Sequence, residues 1–350
     1  MALRGILVGT GGHGAYWCRA YLPPVLRQGL VDIVAAVDID PTAHIHAKEG
    51  LGLADDRCYT DLERAFAEHE ADFCAIVVPP AFHERVVDLA LRYGMDILSE
   101  KPIADTLEAS VRIARKVKAA GAKMGVTMTH RFDQDKTSLR HALRSGAYGA
   151  LDYLTCHYSG RYREYGSARA YRHEMEHPLL IEMAVHHLDI LADLAGGVCE
   201  TIYAETWNAP WSTFKGDAQG FVVMNMRGGV RAVYEGANTN AHGLNDWANE
   251  YIRAECENGT IVLDHRRIDV RDGTGGAQPL ALLDRPSWGN VWLIEQFVEW
   301  VRGGAPMETE VASNLQSMAM VFAAIESSRT KRPVQVQELL ANAMRTEGDA

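Results

Sequence analysis

The sequence predicts an α/β protein of two parts, an N-terminal Rossmann domain and a C-terminal α+β domain with an open-faced, mainly antiparallel sheet. Three observations lead there. A glycine-spaced turn follows the first apolar run; apolar runs and helical stretches alternate up to residue 129; and beyond it longer strands are joined by short glycine-containing turns. A chain of 350 residues is long enough to divide in this way.

The glycine turn lies in residues 3–14, LRGILVGTGGHG, with the spacing Gly9-x-Gly11-x-x-Gly14. In a strand–turn–helix unit the first glycine makes the tight turn. The second admits a pyrophosphate to the backbone, and the third lets the helix pack close to the strand. The helix starting near Gly12 and His13 adds free N–H groups and the positive end of its dipole, so a dinucleotide is the ligand implied. The second apolar run, Val31–Val37, ends in Asp38, 24 residues past Gly14, where a Rossmann unit places the acid that binds the ribose 2′-OH. Asp38 and Asp40 would repel a 2′-phosphate, so NAD is expected rather than NADP. The plainer alternative is that Asp38 only ends a strand before Pro41.

Taken in order, residues 15–21 read as a helix that Pro23-Pro24 breaks, and 61–68 as a helix capped by Thr60. A strand over 72–78 closes at Pro79-Pro80, and a helix over 83–92 stops at Gly94. Ile97-Leu98 is the next strand, followed by a helix over 106–120 and a strand over 123–128. This alternation makes a mostly parallel sheet with helices on both faces. After residue 130 come a helix over 135–144 and strands over 151–158, 199–207, 218–226, 230–237, 250–256 and 260–264. Arg227-Gly228-Gly229 and Asn258-Gly259 mark antiparallel hairpins. Helices over 292–301 and 314–327 follow. The expected division is a cofactor domain over 1–129, a substrate-binding and oligomerisation domain over 130–340 and a loose tail over 341–350.

Composition narrows the function. Hydrophobic residues make up 47% and the net charge is -11, with no basic cluster for a nucleic acid and no apolar run long enough for a membrane span. The six cysteines lack CxxC or metal-like spacing, and no targeting segment precedes the first strand, so reduced thiols in a cytoplasm are expected. Apolar strands in an open sheet need a partner, which points to a homodimer or homotetramer.

Two constellations carry chemistry. Glu100-Lys101-Pro102 follows a strand end of the parallel sheet, where a lysine can stabilise an alkoxide beside a nicotinamide; a surface turn is the bland alternative. In residues 179–194, LLIEMAVHHLDILADL, Glu182, His186, Asp189 and Asp193 share one stripe of an otherwise apolar helix. That stripe faces either a site or water. His186 can exchange a proton near neutral pH, and Glu182, one turn earlier, can orient it. His187 points the other way and reads as a core histidine with a backbone partner. Glu182 with His186 alone makes no metal site, and none is expected.

Together these residues resemble one family. Gly9-Thr10-Gly11-Gly12-His13-Gly14, Asp38, Pro80-x-x-His83 leading through Ala90 and Gly94 to Glu100-Lys101-Pro102, and Glu182-x-x-x-His186-x-x-Asp189 occur in the order and spacing of the Gfo/Idh/MocA family, named for glucose–fructose oxidoreductase and inositol dehydrogenase. The resemblance spans nearly the whole chain. It implies an NAD(P)-dependent oxidoreductase acting on sugars, polyols or related compounds, with Lys101 as the family's catalytic lysine, His186 as its proton-transferring histidine and Glu182 as the acid one turn before. That acid is usually aspartate, and the glycines that often precede it are here His177-Pro178-Leu179. Pro80, His83 and Glu100 match the cofactor pocket. Arg131, Tyr158, Arg161, Tyr162, Arg172, His173 and Asp189 are candidates for substrate hydroxyls or a carboxylate. The expected activity is hydride transfer between a secondary hydroxyl and NAD; the alternatives are an NAD-dependent glycosidase or lyase using transient oxidation, and a non-catalytic dinucleotide sensor.

Overall fold

Six strands, β1 (Leu3–Val8), β2 (Val31–Val37), β3 (Cys58–Tyr59), β4 (Phe73–Ile76), β5 (Asp96–Ser99) and β6 (Met124–Val126), form a parallel sheet in the order β3-β2-β1-β4-β5-β6. Their residues are mostly apolar and covered on both faces: Ile6, Leu7, Ala35, Ala36, Cys74, Ala75 and Ile76 are fully buried. The order reverses between β1 and β4, so the crevice that such sheets offer to ligands opens beyond Val8 and Ile76. The computed structural model describes residues 1–164 and 170–346.

The chain forms two units. The first takes in Met1–Met128 and Ser287–Leu315, the second Thr129–Pro286 and Gln316–Thr346. In the first, the helix Gly289–Val301 sets Phe297 edge-on to Phe73 of β4, with ring centres 5.6 Å apart. Several local details differ from expectation. Pro23-Pro24 does not break the first helix, which runs helically from Gly14 to Arg27. A π-type turn over Trp17–Tyr21 widens the bonding so that Leu22 N–H reaches Trp17 O, and the prolines fall at the start of the next segment, where no N–H is needed. Asp61, not Thr60, caps Leu62–Glu68, its carboxylate accepting from Arg64 N at 3.1 Å. His44–Leu51 is a further helix, with Gly52 in the left-handed conformation ending it.

The second unit is built on a nine-stranded sheet among the described residues. Its strands are β7 (Leu151–Ser159), β8 (Cys199–Trp207), β9 (Gln219–Met226), β10 (Arg231–Ala237), β11 (Tyr251–Cys256), β12 (Gly259–Asp264), β13 (Arg267–Arg271), β14 (Ala277–Leu280) and β15 (Val334–Gln335), in the order β14-β13-β12-β11-β7-β10-β9-β8-β15. The β9–β10 and β11–β12 hairpins turn where the glycines predicted, and β7–β10 is the parallel exception. Burial alternates along β9: Val222, Met224 and Met226 are buried, and Phe221 and Val223 are exposed. The expected tail is helical up to Thr346, in Val336–Thr346, because its apolar residues recur with helical spacing; 347–350 lie outside the described residues. No helix among the described residues is long and apolar enough to cross a membrane, and the six cysteines are free thiols.

Candidate functional site

In the first unit the glycine turn leaves β1 in a shape that Gly9 and Gly14 enforce by close contact and Gly12 by its φ of +49°. A Cβ on Gly9, whose φ is +98°, would lie 2.1 Å from Val77 O, and one on Gly14 would lie 2.3 Å from Gly9 O. Gly9 and Gly14 therefore set the close approach of strand, turn and helix. Gly12 and His13 are exposed, and nothing lies within 4 Å of a Cβ placed on Gly12. That open ground at the helix start fits a dinucleotide's phosphates. Asp38 braces the turn from β2: its Oδ2 accepts from Thr10 N and Gly11 N, both at 2.8 Å, and its Oδ1 from Asp40 N at 3.0 Å.

Glu100 follows β5 and joins this turn to Lys101. Its buried carboxylate accepts from Trp17 Nε1 at 2.8 Å, lies 3.2 Å from His13 Nε2 and accepts from Lys101 N at 3.3 Å. Burial alone would raise its pKa, but the bond and charge of His13, the Trp17 bond and the Lys101 charge hold it below the usual range. Lys101 is half-buried, and the peptide bond between it and Pro102 is cis. Pro80 opens the short turn Pro80–Phe82. His83 is fully buried, its ring nitrogens 2.8 Å from Val78 O and 3.1 Å from Ile103 O, so it ties that turn to the segment after Pro102. Burial pushes its pKa down, which keeps it neutral.

In the second unit Glu182 and His186 sit on one helical run, a π-type stretch Leu179–Ala184 followed by the helix Val185–Leu194. The polar stripe does not face water: Glu182, His186, Asp189 and Asp193 are all buried. Its two ends have different partners. Glu182 Oε2 accepts from Arg172 Nε and Tyr171 OH, both at 3.1 Å. Asp189 lies 3.2 Å from Arg131 Nε and accepts from Ser317 Oγ at 2.6 Å, while Asp193 meets Arg131, Arg140 and Arg144 at 3.5, 3.4 and 2.9 Å. Arg131 and Asp189 are thus bound to each other. Tyr158 is fully buried, its hydroxyl 3.4 Å from Asn238 Oδ1.

Arg161, Tyr162, Arg172, His173, Met183 and Phe214 line a cavity of about 380 Å³. His173 stacks on Phe214 with ring centres 4.0 Å apart and shares a hydrogen bond with Thr213 Oγ1. Arg161 is exposed. Of the candidate substrate contacts, the structure therefore gathers Arg161, Tyr162, Arg172 and His173 at one cavity, and sets Arg131, Tyr158 and Asp189 in packed surroundings.

A cluster that sequence reasoning missed lies behind His186. His187 is a core histidine, but its partners are side chains rather than backbone: Tyr234 OH at 3.1 Å from Nδ1 and Glu250 Oε1 at 3.4 Å from Nε2. Glu250 Oε1 also accepts from His130 Nε2 at 2.8 Å and from Ala248 N at 2.9 Å. His130, His187 and Glu250 bring their ligand atoms within 4.8 Å of one another, the spacing of a metal set. Lys136 Nζ, 2.9 Å from Glu250 Oε2, already supplies the cation, so the group reads as a hydrogen-bonded network. Burial pushes His130 down to about 3, leaving it a neutral donor to the carboxylate. No local motif marks His130 and Glu250, which are 120 residues apart.

The comparisons bear on the family and the fold. Residues 3–128 match the model of the oxidoreductase family with an NAD-binding Rossmann fold, and 137–262 the GFO/IDH/MocA C-terminal domain. The chain is 50% identical to the uncharacterized protein y4oX of Sinorhizobium fredii over 97% of both chains. It is 24% identical to a D-apiose dehydrogenase of Paraburkholderia graminis, over 97% of this chain and 91% of that one. An oxidoreductase from Agrobacterium radiobacter, solved with NAD+, L-tartaric acid and magnesium, superposes with a TM-score of 0.83 at 22% identity, over 97% of this chain and 100% of the other. With its NAD-binding Rossmann unit and its antiparallel-sheet unit, the chain belongs to the Gfo/Idh/MocA family of oxidoreductases.

Proposed function

We propose that this oxidoreductase is an NAD-dependent dehydrogenase of a secondary hydroxyl on a sugar, polyol or sugar derivative, working in the cytoplasm as a homo-oligomer. The observation that carries the reading is Glu100: one buried carboxylate holds His13 and Trp17 of the glycine-turn helix and the main chain of Lys101. The lysine is thereby fixed relative to the turn that would hold the dinucleotide, on Gly9, Gly11, Gly12, His13 and Gly14. NAD, when bound, supplies the hydride acceptor. Lys101 donates to the substrate hydroxyl oxygen and stabilises the alkoxide charge that develops there. A ring nitrogen of His186 takes the hydroxyl proton, and Glu182, neutralised by Arg172, orients that part of the helix. Asp38 favours NAD over NADP through its negative charge beside the turn. Arg161 and Arg172 offer donors to substrate hydroxyls or a carboxylate.

The D-apiose dehydrogenase relative supports a sugar-type substrate. The test is absorbance at the NADH band with NAD or NADP and a panel of inositols, aldoses, sugar acids and glycosides. A rise with NAD and one hydroxyl-bearing class is expected; glycoside cleavage without net NADH would overturn the dehydrogenase reading.

A further inference from the structure

Lys136 and Glu250 are each 1% exposed, and the ion pair they form is not used in the chemistry above. Two charges placed there lose almost all hydration, and an apolar pair of the same volume would serve packing at least as well. Their surroundings suggest what they serve. Glu250 Oε1 gathers the His130 ring, the His187 ring and Ala248 N, while Oε2 takes the Lys136 ammonium. The His130 ring centre lies 4.2 Å from Trp247 and 5.6 Å from His186, and Trp247 stands edge-on to His186 at 5.1 Å. A chain of contacts thus runs from the buried pair to the helix face that carries His186.

Resting on the reading of His186 as the proton-transferring residue, we propose that the Lys136–Glu250 pair is a positioning device: through His130 and Trp247 it holds the His186 ring and sets the electrostatic field in which that ring exchanges its proton. Both rings meet the same Glu250 Oε1, held in place by Ala248 N and by the ion pair of Oε2 with Lys136, so the His130 and His187 rings keep one tautomer and one orientation each. The other charged groups nearby are also paired, Asp135 and Asp133 with this same lysine. Asp135 and Asp133 lie 3.1 and 3.8 Å from Lys136 Nζ, and Arg266 acts on His130 and Asp133. On the helix itself, Glu182 is paired with Arg172, and Asp189 and Asp193 with Arg131. Tyr158 and Tyr234, facing from the sheet, stay neutral because burial raises both phenols well above their ordinary range.

Opposite substitutions in the pair test this. Glu250→Gln removes the negative charge that faces His130 and leaves Lys136 to Asp135 and Asp133 on its other side, so the His186 imidazolium is disfavoured and its titration moves down by about one pH unit. Lys136→Met takes the shared cation from Glu250 and Asp135 and moves the titration up by about as much. The double variant, which removes one charge of each sign, returns it towards the native position and guards against a single variant that fails to fold.

The readout is NMR titration of the His186 ring in the full chain, assigned by its loss in His186→Asn, and it needs no turnover. The acidic limb of the pH profile of kcat/KM follows the same directions if His186 is the base. Opposite NMR displacements without a matching limb would uphold the device and overturn the catalytic reading instead. Displacements of one sign in both single variants, or none, would overturn the proposal. So would stoichiometric divalent metal in the native protein that Glu250→Gln releases, since the cluster would then hold a metal.

Discussion

Glu100→Gln isolates the bond network that ties the glycine turn to Lys101. The substitution keeps shape and an acceptor oxygen but removes the charge that Trp17 Nε1 meets at 2.8 Å and His13 Nε2 at 3.2 Å. A hydrogen bond to a charged group contributes about 1.5–3 kcal/mol and a neutral one about 0.5–1.5. His13 is half exposed, which reduces its share, so the expected loss is about 2 kcal/mol at pH 7. For a domain of this size that lowers the melting temperature by roughly 4–8 °C.

The carboxyl is held below its ordinary range, so its contribution is fully present above the unfolded pKa and disappears as pH falls through the lower, folded one. Thermal unfolding of both proteins between pH 3 and pH 8 should therefore show a gap that is full at neutral pH and closes in acid. NAD affinity, measured by fluorescence quenching, should fall with it as His13 is released. Equal melting at pH 7, or a gap undiminished at pH 3, would refute the argument.

Three further outcomes are expected. Gly9→Ala, with its Cβ 2.1 Å from a backbone oxygen, should yield no stably folded first unit, whereas Gly12→Ala, with open space around it, should cost about 1 kcal/mol in urea unfolding. Burial, only partly offset by Lys136, raises Asp133 to about 7, so its stabilising effect is present below its unfolded pKa and lost as pH rises through 7. Asp133→Asn should flatten that fall and gain about 1–2 kcal/mol at pH 8, discounted for partial exposure; equal slopes would contradict it. Val223→Asp, on the face where Trp207, Phe221, Val223 and Val233 are exposed, should shift sedimentation towards the monomer.

All of the parallel sheet but the two-residue β3 was legible because its strands are short apolar runs with a glycine or proline nearby, and the glycine turn needs its residues at fixed spacing. The His83–Arg92 helix and β8 fall where periodicity puts them. Less visible were the edge strand β14 and its neighbour β13, rich in charge and polar residues that one buried side chain, Ile268, barely marks. The Pro23-Pro24 pair misled because a π-type turn upstream absorbs the missing donors. The stripe on the His186 helix was legible as a pattern but not in its partners: the arginines that neutralise Asp189 and Asp193 come from another helix and turn. Glu250, His130 and Lys136 meet only through tertiary folding, so no spacing records them.

The most direct test of the central claim is Lys101→Ala, measured for NAD binding and for NADH formation with the substrate found by the panel. The account predicts that NAD still binds with an affinity close to the native value while turnover falls about a thousandfold, the loss expected when a donor to a developing oxyanion is removed. Near-native turnover, or a loss explained entirely by failure to bind NAD, would contradict the assignment of Lys101.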